Sequence, residues 1–158
     1  MSLQGLFQVG YVTHELDRAI ATFAPFAGAE FATMDIDLPA RTPLGDRVVS
    51  VRVGVTWVGR MQIELIQPVS GHIDAYLESL PADPDDVVPR FHHLAVRRGD
   101  PDHMRTEVAA MGIPVVFETG GNGIQSMFVD ARARIGHHLE LVCATSEGWA
   151  MLGWPDAV

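Results

Sequence analysis

The clearest pattern along the chain is a two-residue alternation of apolar and polar positions, broken by two short stretches of helical period. Leu6 to Thr13 alternates and predicts a first strand. Ile20, Phe23 and Ala24 then fall at i, i+3 and i+4, which predicts a helix from about Asp17 to Ala27. Pro25 sits late in that helix, and Gly28 is its expected stop. A strand from Ala29 to Leu38 follows, then a loop from Pro39 to Asp46, assigned from its two prolines and glycine. Val49, Val51, Val53, Val55 and Trp57 mark one face of a strand over 47–57. A tight turn at Val58-Gly59 leads to a partner strand over 60–69, and a short helix is expected from His72 to Leu80.

After a Pro- and Asp-rich linker the pattern restarts. Phe91 to Arg97 reads as a strand, Pro101 to Met111 as a helix with proline in its first turn, and Gly112 as its stop. Strands follow at 113–117, 125–130 and 137–143. The glycine-rich stretch Thr119-Gly120-Gly121-Asn122-Gly123 is read as a loop; it lacks the Lys-Ser/Thr and the following helix of a phosphate loop. Each half therefore reads strand, helix, strand, strand, strand, an internal repeat. The expected fold class is α+β: two βαβββ modules forming a curved, cleft-lining mixed sheet with helices on the outer face. Residues 1–158 are read as a single domain, with a first module at 4–80, a linker at 81–90, a second module at 91–145 and a tail at 146–158.

Composition narrows the function. The 158 residues are 47% apolar and carry a net charge of −9 at pH 7, which argues against nucleic acid or an anionic membrane as partner. No apolar run approaches the roughly 18 residues that cross a bilayer, and no secretory signal is visible, so a cytoplasmic location is the expectation. The one cysteine, Cys143, lies among apolar neighbours and is expected to be an inert buried thiol.

Strand alternation also singles out candidate chemistry. Gln8, Glu64, His93 and Glu140 each lie on the strand face opposite a large apolar pair, and fall at matching places in the two halves. On the concave side of a curved sheet they would meet. Two carboxylates brought together there need a cation. One imidazole, one amide oxygen and two carboxylates suit an N/O-preferring divalent ion: Zn, Ni, Co, Mn or Fe(II). His92 should point away from His93, and His138 shares the face of Glu140 and is a rival ligand. Asp46 and Arg47 are weaker candidates for a second base and an anion contact. Trp57, Trp149 and Trp154 could line a pocket for an apolar ligand, although scattered tryptophans usually belong to cores. His14, His72, His103 and His137 are expected at the surface.

At Gln8-Val9-Gly10-Tyr11-Val12, Ile63-Glu64-Leu65-Ile66-Gln67-Pro68, His92-His93-Leu94-Ala95-Val96 and His137-His138-Leu139-Glu140-Leu141-Val142 the sequence resembles the vicinal oxygen chelate superfamily. That superfamily includes glyoxalase I, methylmalonyl-CoA epimerase, extradiol dioxygenases and bleomycin-resistance proteins. The resemblance implies paired βαβββ modules around one divalent metal, held by Gln8, Glu64, His93 and Glu140. The Glu-Leu-Ile-Gln-Pro segment looks most like methylmalonyl-CoA epimerase, which usually has His in place of Gln8. The Gln-Glu-His-Glu set is similar to eukaryotic-type glyoxalase I, yet Val12 stands where that enzyme binds glutathione through arginine. The implied function is a metal-dependent isomerase, epimerase or lyase. It would move a proton beside the metal-polarised carbonyl of a small oxo compound or thioester, through Glu64 and Glu140. The alternative is a metal-free small-molecule binding or resistance protein of the same fold. Ring-cleaving oxygen chemistry, which needs two histidines and one carboxylate, fits less well. Relatives commonly pair, so a homodimer is expected by analogy.

Overall fold

Eight strands and five helices alternate in the computed structural model, which describes residues 2–154. The first half runs β1 (Leu6–Val12), α1 (Leu16–Ala27), β2 (Ala32–Thr42), β3 (Gly45–Val58), β4 (Met61–Gly71) and α2 (Asp74–Leu77). The second runs β5 (Arg90–Arg98), α3 (Pro101–Met111), β6 (Val115–Gly121), β7 (Ile124–Val129), α4 (Arg132–Ile135), β8 (His138–Ala144) and α5 (Ser146–Met151). The strands form one mixed sheet in the order β1-β4-β3-β2-β6-β7-β8-β5, closed on itself. β1 and β4 are parallel, as are β5 and β8, and the two halves meet where β1 and β5 run antiparallel. The opposite seam is narrow: β2 pairs with β6 at Ala40 and Arg41. The expected curved sheet is thus drawn round into a barrel.

Each long helix begins on a side-chain cap and ends on a left-handed glycine. Glu15 accepts the Arg18 N–H at 2.9 Å to start α1, and Gly28 closes it at φ 65°. Asp100 accepts the His103 N–H at 2.8 Å to start α3, and Gly112 closes it at φ 58°. Pro25 neither ends nor shortens α1, which continues to Ala27. α1 lays Leu16, Ala19, Ile20 and Phe23 on Leu65 and Tyr11. α3 lays Met104 and Val108 on Val96, Met127, Leu139 and Leu141. Leu141 is fully buried, so Leu141→Ala should destabilise the protein by about 2–5 kcal/mol. Phe26→Ala, at a site 88% exposed, should be nearly neutral; urea denaturation of both variants checks the contrast.

Helices α2 and α5 depart from the expected outer layer. α2 follows β4, and α5 follows β8, whose C-terminus lies at the opposite end of the barrel. α2 sends Tyr76 inside against Phe117 and Phe128. α5 sends Trp149 inside against Phe7, Ala95 and Val142. Both therefore act as end plugs, and the helix expected from His72 to Leu80 is a single turn. The loops expected at 39–46 and 119–123 are instead strand ends. β2 and β3 stay paired to Thr42↔Gly45, with Pro39 opposite Val48. β2 bonds a second neighbour only from Ala40 onward, so the missing proline N–H falls on its unpaired edge. β6 continues to Gly121, and Asn122 (φ 52°) and Gly123 (φ 76°) make the two-residue turn that a twisted hairpin favours.

Candidate metal and proton-transfer site

The inner faces of four adjacent strands, β4, β1, β5 and β8, supply the candidate residues. Gly10 of β1 is level with Glu64 on one side and His93 on the other, and Ala95 of β5 is level with Glu140. The His93 ring lies directly over Gly10: a Cβ there would stand 2.0 Å from His93 Cε1. From this position His93 Nε2 is 3.4 Å from Gln8 Oε1, 3.5 Å from Glu64 Oε2 and 3.7 Å from Glu140 Oε2. All four expected ligands therefore converge on one point inside the barrel. Gln8 and His93 are buried, whereas the two glutamates keep 17% and 21% of their side-chain surface accessible.

His92 corrects the strand-alternation argument. Gly10 pairs with His93 and Tyr11 with Phe91, so His92 is the extra residue of a bulge. The bulge breaks the alternation, and both rings turn inward, each 1% exposed, with their Nδ1 atoms 3.1 Å apart. His92 stacks on Phe128 and His138 at ring separations of 5.4 and 4.6 Å, and its Nε2 is 3.0 Å from the Ala75 carbonyl of α2. His138 packs beneath His92, and its Nδ1 is buried without a hydrogen-bond partner.

Burial and charge act together on these groups. Glu64 is pushed up to about 8, first by burial and then by the negative charge of Glu140. Glu140 is pushed up to about 7 by burial, offset by a hydrogen bond from Ser126. Burial lowers His92 to about 3 and His93 well below its usual value, so both rings are neutral. The Tyr76 phenol, which packs on His92 and Phe128, is raised by burial and by the charges of both glutamates. Composition alone did not mark Tyr76 or Gln62; both became visible once the barrel closed.

The metal-free protein should show the cost of these carboxylates. Between about pH 4.5 and 8 the folded state retains protons that the unfolded chain has lost, so stability falls as pH rises through that window. Glu64→Gln should remove much of this slope, matching wild type near pH 5 and exceeding it at pH 8. Thermal melts at the two pH values, in chelator, measure the difference.

The donor types, though not their present spacing, are those of a divalent-cation site. Donors about 2.1 Å from a shared ion stand about 3.0–3.4 Å apart at octahedral or tetrahedral angles. The observed separations are at or slightly above this range, and the cluster is a little open. Among the described residues no group of three or more His, Cys, Asp or Glu side chains is spaced to hold a metal ion as it stands. Two desolvated carboxylates beside a neutral imidazole and an amide oxygen leave an excess of lone pairs that a cation would balance.

The remaining candidates lie elsewhere. Asp46 and Arg47 line a surface groove of about 800 Å³ together with Arg41, Arg105 and Thr119. Arg47 donates to the Asp46 carbonyl at 2.8 Å. Trp57, Trp149 and Trp154 pack on one another and on Phe7, with the Arg97 guanidinium 4.8 Å from the Trp149 ring centre. They form an aromatic plug. Cys143 is buried, and burial raises its thiol.

Solved structures share this architecture. A variant of Streptomyces coelicolor methylmalonyl-CoA epimerase, in complex with 2-nitronate-propionyl-CoA, superposes with a TM-score of 0.64 at 18% identity, covering 92% of this chain and 100% of that one. A methylmalonyl-CoA epimerase bound to methylmalonyl-CoA and NH4+ gives 0.64 at 20% identity, over 93% and 99% of the two chains. The Mycobacterium tuberculosis methylmalonyl-CoA epimerase gives 0.56 at 21% identity, over 95% of each. No curated protein sequence matches. Residues 7–129 match the family model of the Glyoxalase/Bleomycin resistance protein/Dioxygenase superfamily, and the chain belongs to that superfamily.

Proposed function

We propose that this protein is an epimerase or isomerase that moves a proton at the carbon beside a carbonyl, with Glu64 and Glu140 as the exchanging groups. The observation that carries this reading is the pair of half-buried carboxylates, both shifted up toward neutral pH. They reach the His93 imidazole from β4 and β8, on either side of β1 and β5. One accepts the α-proton while the other, protonated, returns a proton from the opposite side, which inverts the centre.

Gln8, Glu64, His93 and Glu140 would hold one divalent ion, and a glutamate would leave that shell to exchange the proton when substrate binds; when bound, the ion would supply the positive charge that polarises the carbonyl and stabilises the enolate. Burial by Tyr76, Phe128 and the end plugs limits the water that competes for the proton. A thioester substrate is supported by the coenzyme A ligands of the structural neighbours. It is also supported by the arginine-bearing groove: Thr119 in its wall is 3.0 Å from Ser126, whose strand β7 pairs with the strand of Glu140. Incubation of 2-substituted acyl-CoA thioesters with Zn-loaded protein in D2O tests the proposal. Deuterium should enter at the α-carbon, and retention of the α-proton in every such thioester would contradict it.

A further inference from the structure

The surface groove beside the β2–β6 seam gathers positive charge on a chain whose net charge is −9. Arg41, Arg47 and Arg105 stand in its wall against Asp46 and Glu118, three cations to two carboxylates. Arg105 is already engaged, 3.2 Å from Asp102 and 3.5 Å from Glu118. Arg41 and Arg47 form no ion pair among the described residues, and Arg47 gives one N–H to the Asp46 carbonyl. The wall is low at Gly99 and Gly121, where an added Cβ would meet nothing within 4 Å, so the main chain is open to a ligand there. Free guanidinium groups beside bare main chain suit the oxygens of a phosphate. A groove of about 800 Å³ holds a whole molecular end, and a lone phosphate ion would leave most of it unfilled.

The groove also reaches the barrel interior. Thr119, in its wall, lies 3.0 Å from the hydroxyl of Ser126, which is buried. Ser126 is level with Val142 of β8, two residues beyond Glu140. Two strand spacings across and two residues along place Thr119 about 12 Å from Glu140 over the sheet. β2 meets β6 only at Ala40 and Arg41, so the seam beside Thr119 is short. Both glutamates keep part of their side-chain surface accessible. A small phosphorylated oxo acid carries its phosphate within about 5 Å of its carbonyl and cannot span the two places. A phosphate at the far end of a long arm can.

We propose that this groove binds the phosphorylated end of a long-armed thioester, with Arg41 and Arg47 as its phosphate contacts. The acyl end then passes the seam beside Thr119 and reaches Glu64 and Glu140. The proposal rests on the proton-transfer reading for the place of the reacting carbonyl; the phosphate contact rests on the charge and shape of the groove alone. Charge-assisted contacts from exposed arginines of this kind are worth about 10-fold each in affinity.

Calorimetric titration of the full-length protein with free coenzyme A, which carries the phosphates and the arm but no acyl group, tests the groove without any turnover. Arg41→Ala and Arg47→Ala should each raise the dissociation constant about 10-fold, and the double variant about 100-fold. Gly121 is not in the left-handed region, so Gly121→Glu should fold and, by adding a carboxylate to the wall, weaken binding about 10-fold. Pantetheine, the same arm without phosphate, should bind wild type at least about 100-fold more weakly than coenzyme A. Equal affinity for the two compounds, or unchanged coenzyme A affinity in the double variant, overturns the proposal. If the double variant does not fold, Gly121→Glu and the two compounds on wild type still decide. The exchange assay in D2O separates this proposal from the chemistry it serves. Coenzyme A bound through the two arginines with no exchange in any acyl thioester leaves the groove and removes the proton transfer. Equal exchange in acyl-coenzyme A and acyl-pantetheine leaves the proton transfer and removes the groove.

Discussion

Glu140→Gln and Glu64→Gln should each slow interconversion of the two enantiomers by about 100- to 10,000-fold at saturating metal, with the fold intact. The size follows from what a positioned general acid or base contributes to proton transfer. The fold should survive because each glutamine fills the same volume and removes a desolvated carboxylate that repels its neighbour. The two variants should also differ from each other. If one carboxylate removes the proton and the other returns it, each single variant loses racemisation of a chiral substrate. The variant that retains the base should still wash deuterium into one enantiomer. Circular dichroism and NMR of a chiral 2-substituted thioester, followed in D2O, separate these outcomes. Equal, near-wild-type exchange in both variants would remove the carboxylates from the mechanism.

Gly10→Ala should abolish the centre by a different route. The backbone of Gly10 is not in the left-handed region, so alanine is conformationally acceptable there. Its Cβ, however, would stand 2.0 Å from His93 Cε1 and 2.3 Å from His93 Nδ1, and the ring must move. Moving it breaks the contact with His92 and takes Nε2 away from Gln8, Glu64 and Glu140. Metal affinity should fall by at least about 100-fold, since a direct ligand and its partner are displaced together. Stability should fall by about 1–3 kcal/mol, the usual cost of overpacking. Gly54→Ala is the matched control: its Cβ meets the flexible end of Ile20 at 2.9 Å on the outer face. That variant should lose some stability but keep its metal. Parallel denaturation and Zn2+ titration of the two variants distinguish loss of packing from loss of the centre.

Much of the fold was legible because alternation and helix stops are local signals. Val49 to Trp57 showed its inward face directly, and Gly28 and Gly112 ended their helices where expected. The convergence of Gln8, Glu64, His93 and Glu140 was legible for the same reason, since alternation placed each of them opposite an apolar pair of which Tyr11, Leu65, Val96 and Leu139 pack under α1 or α3. What escaped the sequence depended on pairing. Pro39 was read as a loop residue because its missing N–H is harmless only on the unpaired edge of β2, and that edge is a property of the sheet. His92 was placed on the wrong face because a bulge is defined by two strands together. The Asn122-Gly123 turn, by contrast, carried its signal in the chain: the dipeptide marks a hairpin, and the surrounding glycines masked it.

One cation held by four side chains within the barrel is the centre of the proposed chemistry. Anomalous scattering from crystals of Zn-loaded protein, recorded on both sides of the zinc edge, tests this most directly. It predicts a single strong peak bounded by Gln8 Oε1, Glu64, His93 Nε2 and Glu140. No peak there, or zinc bound only at surface histidines such as His72 or His103, would contradict it.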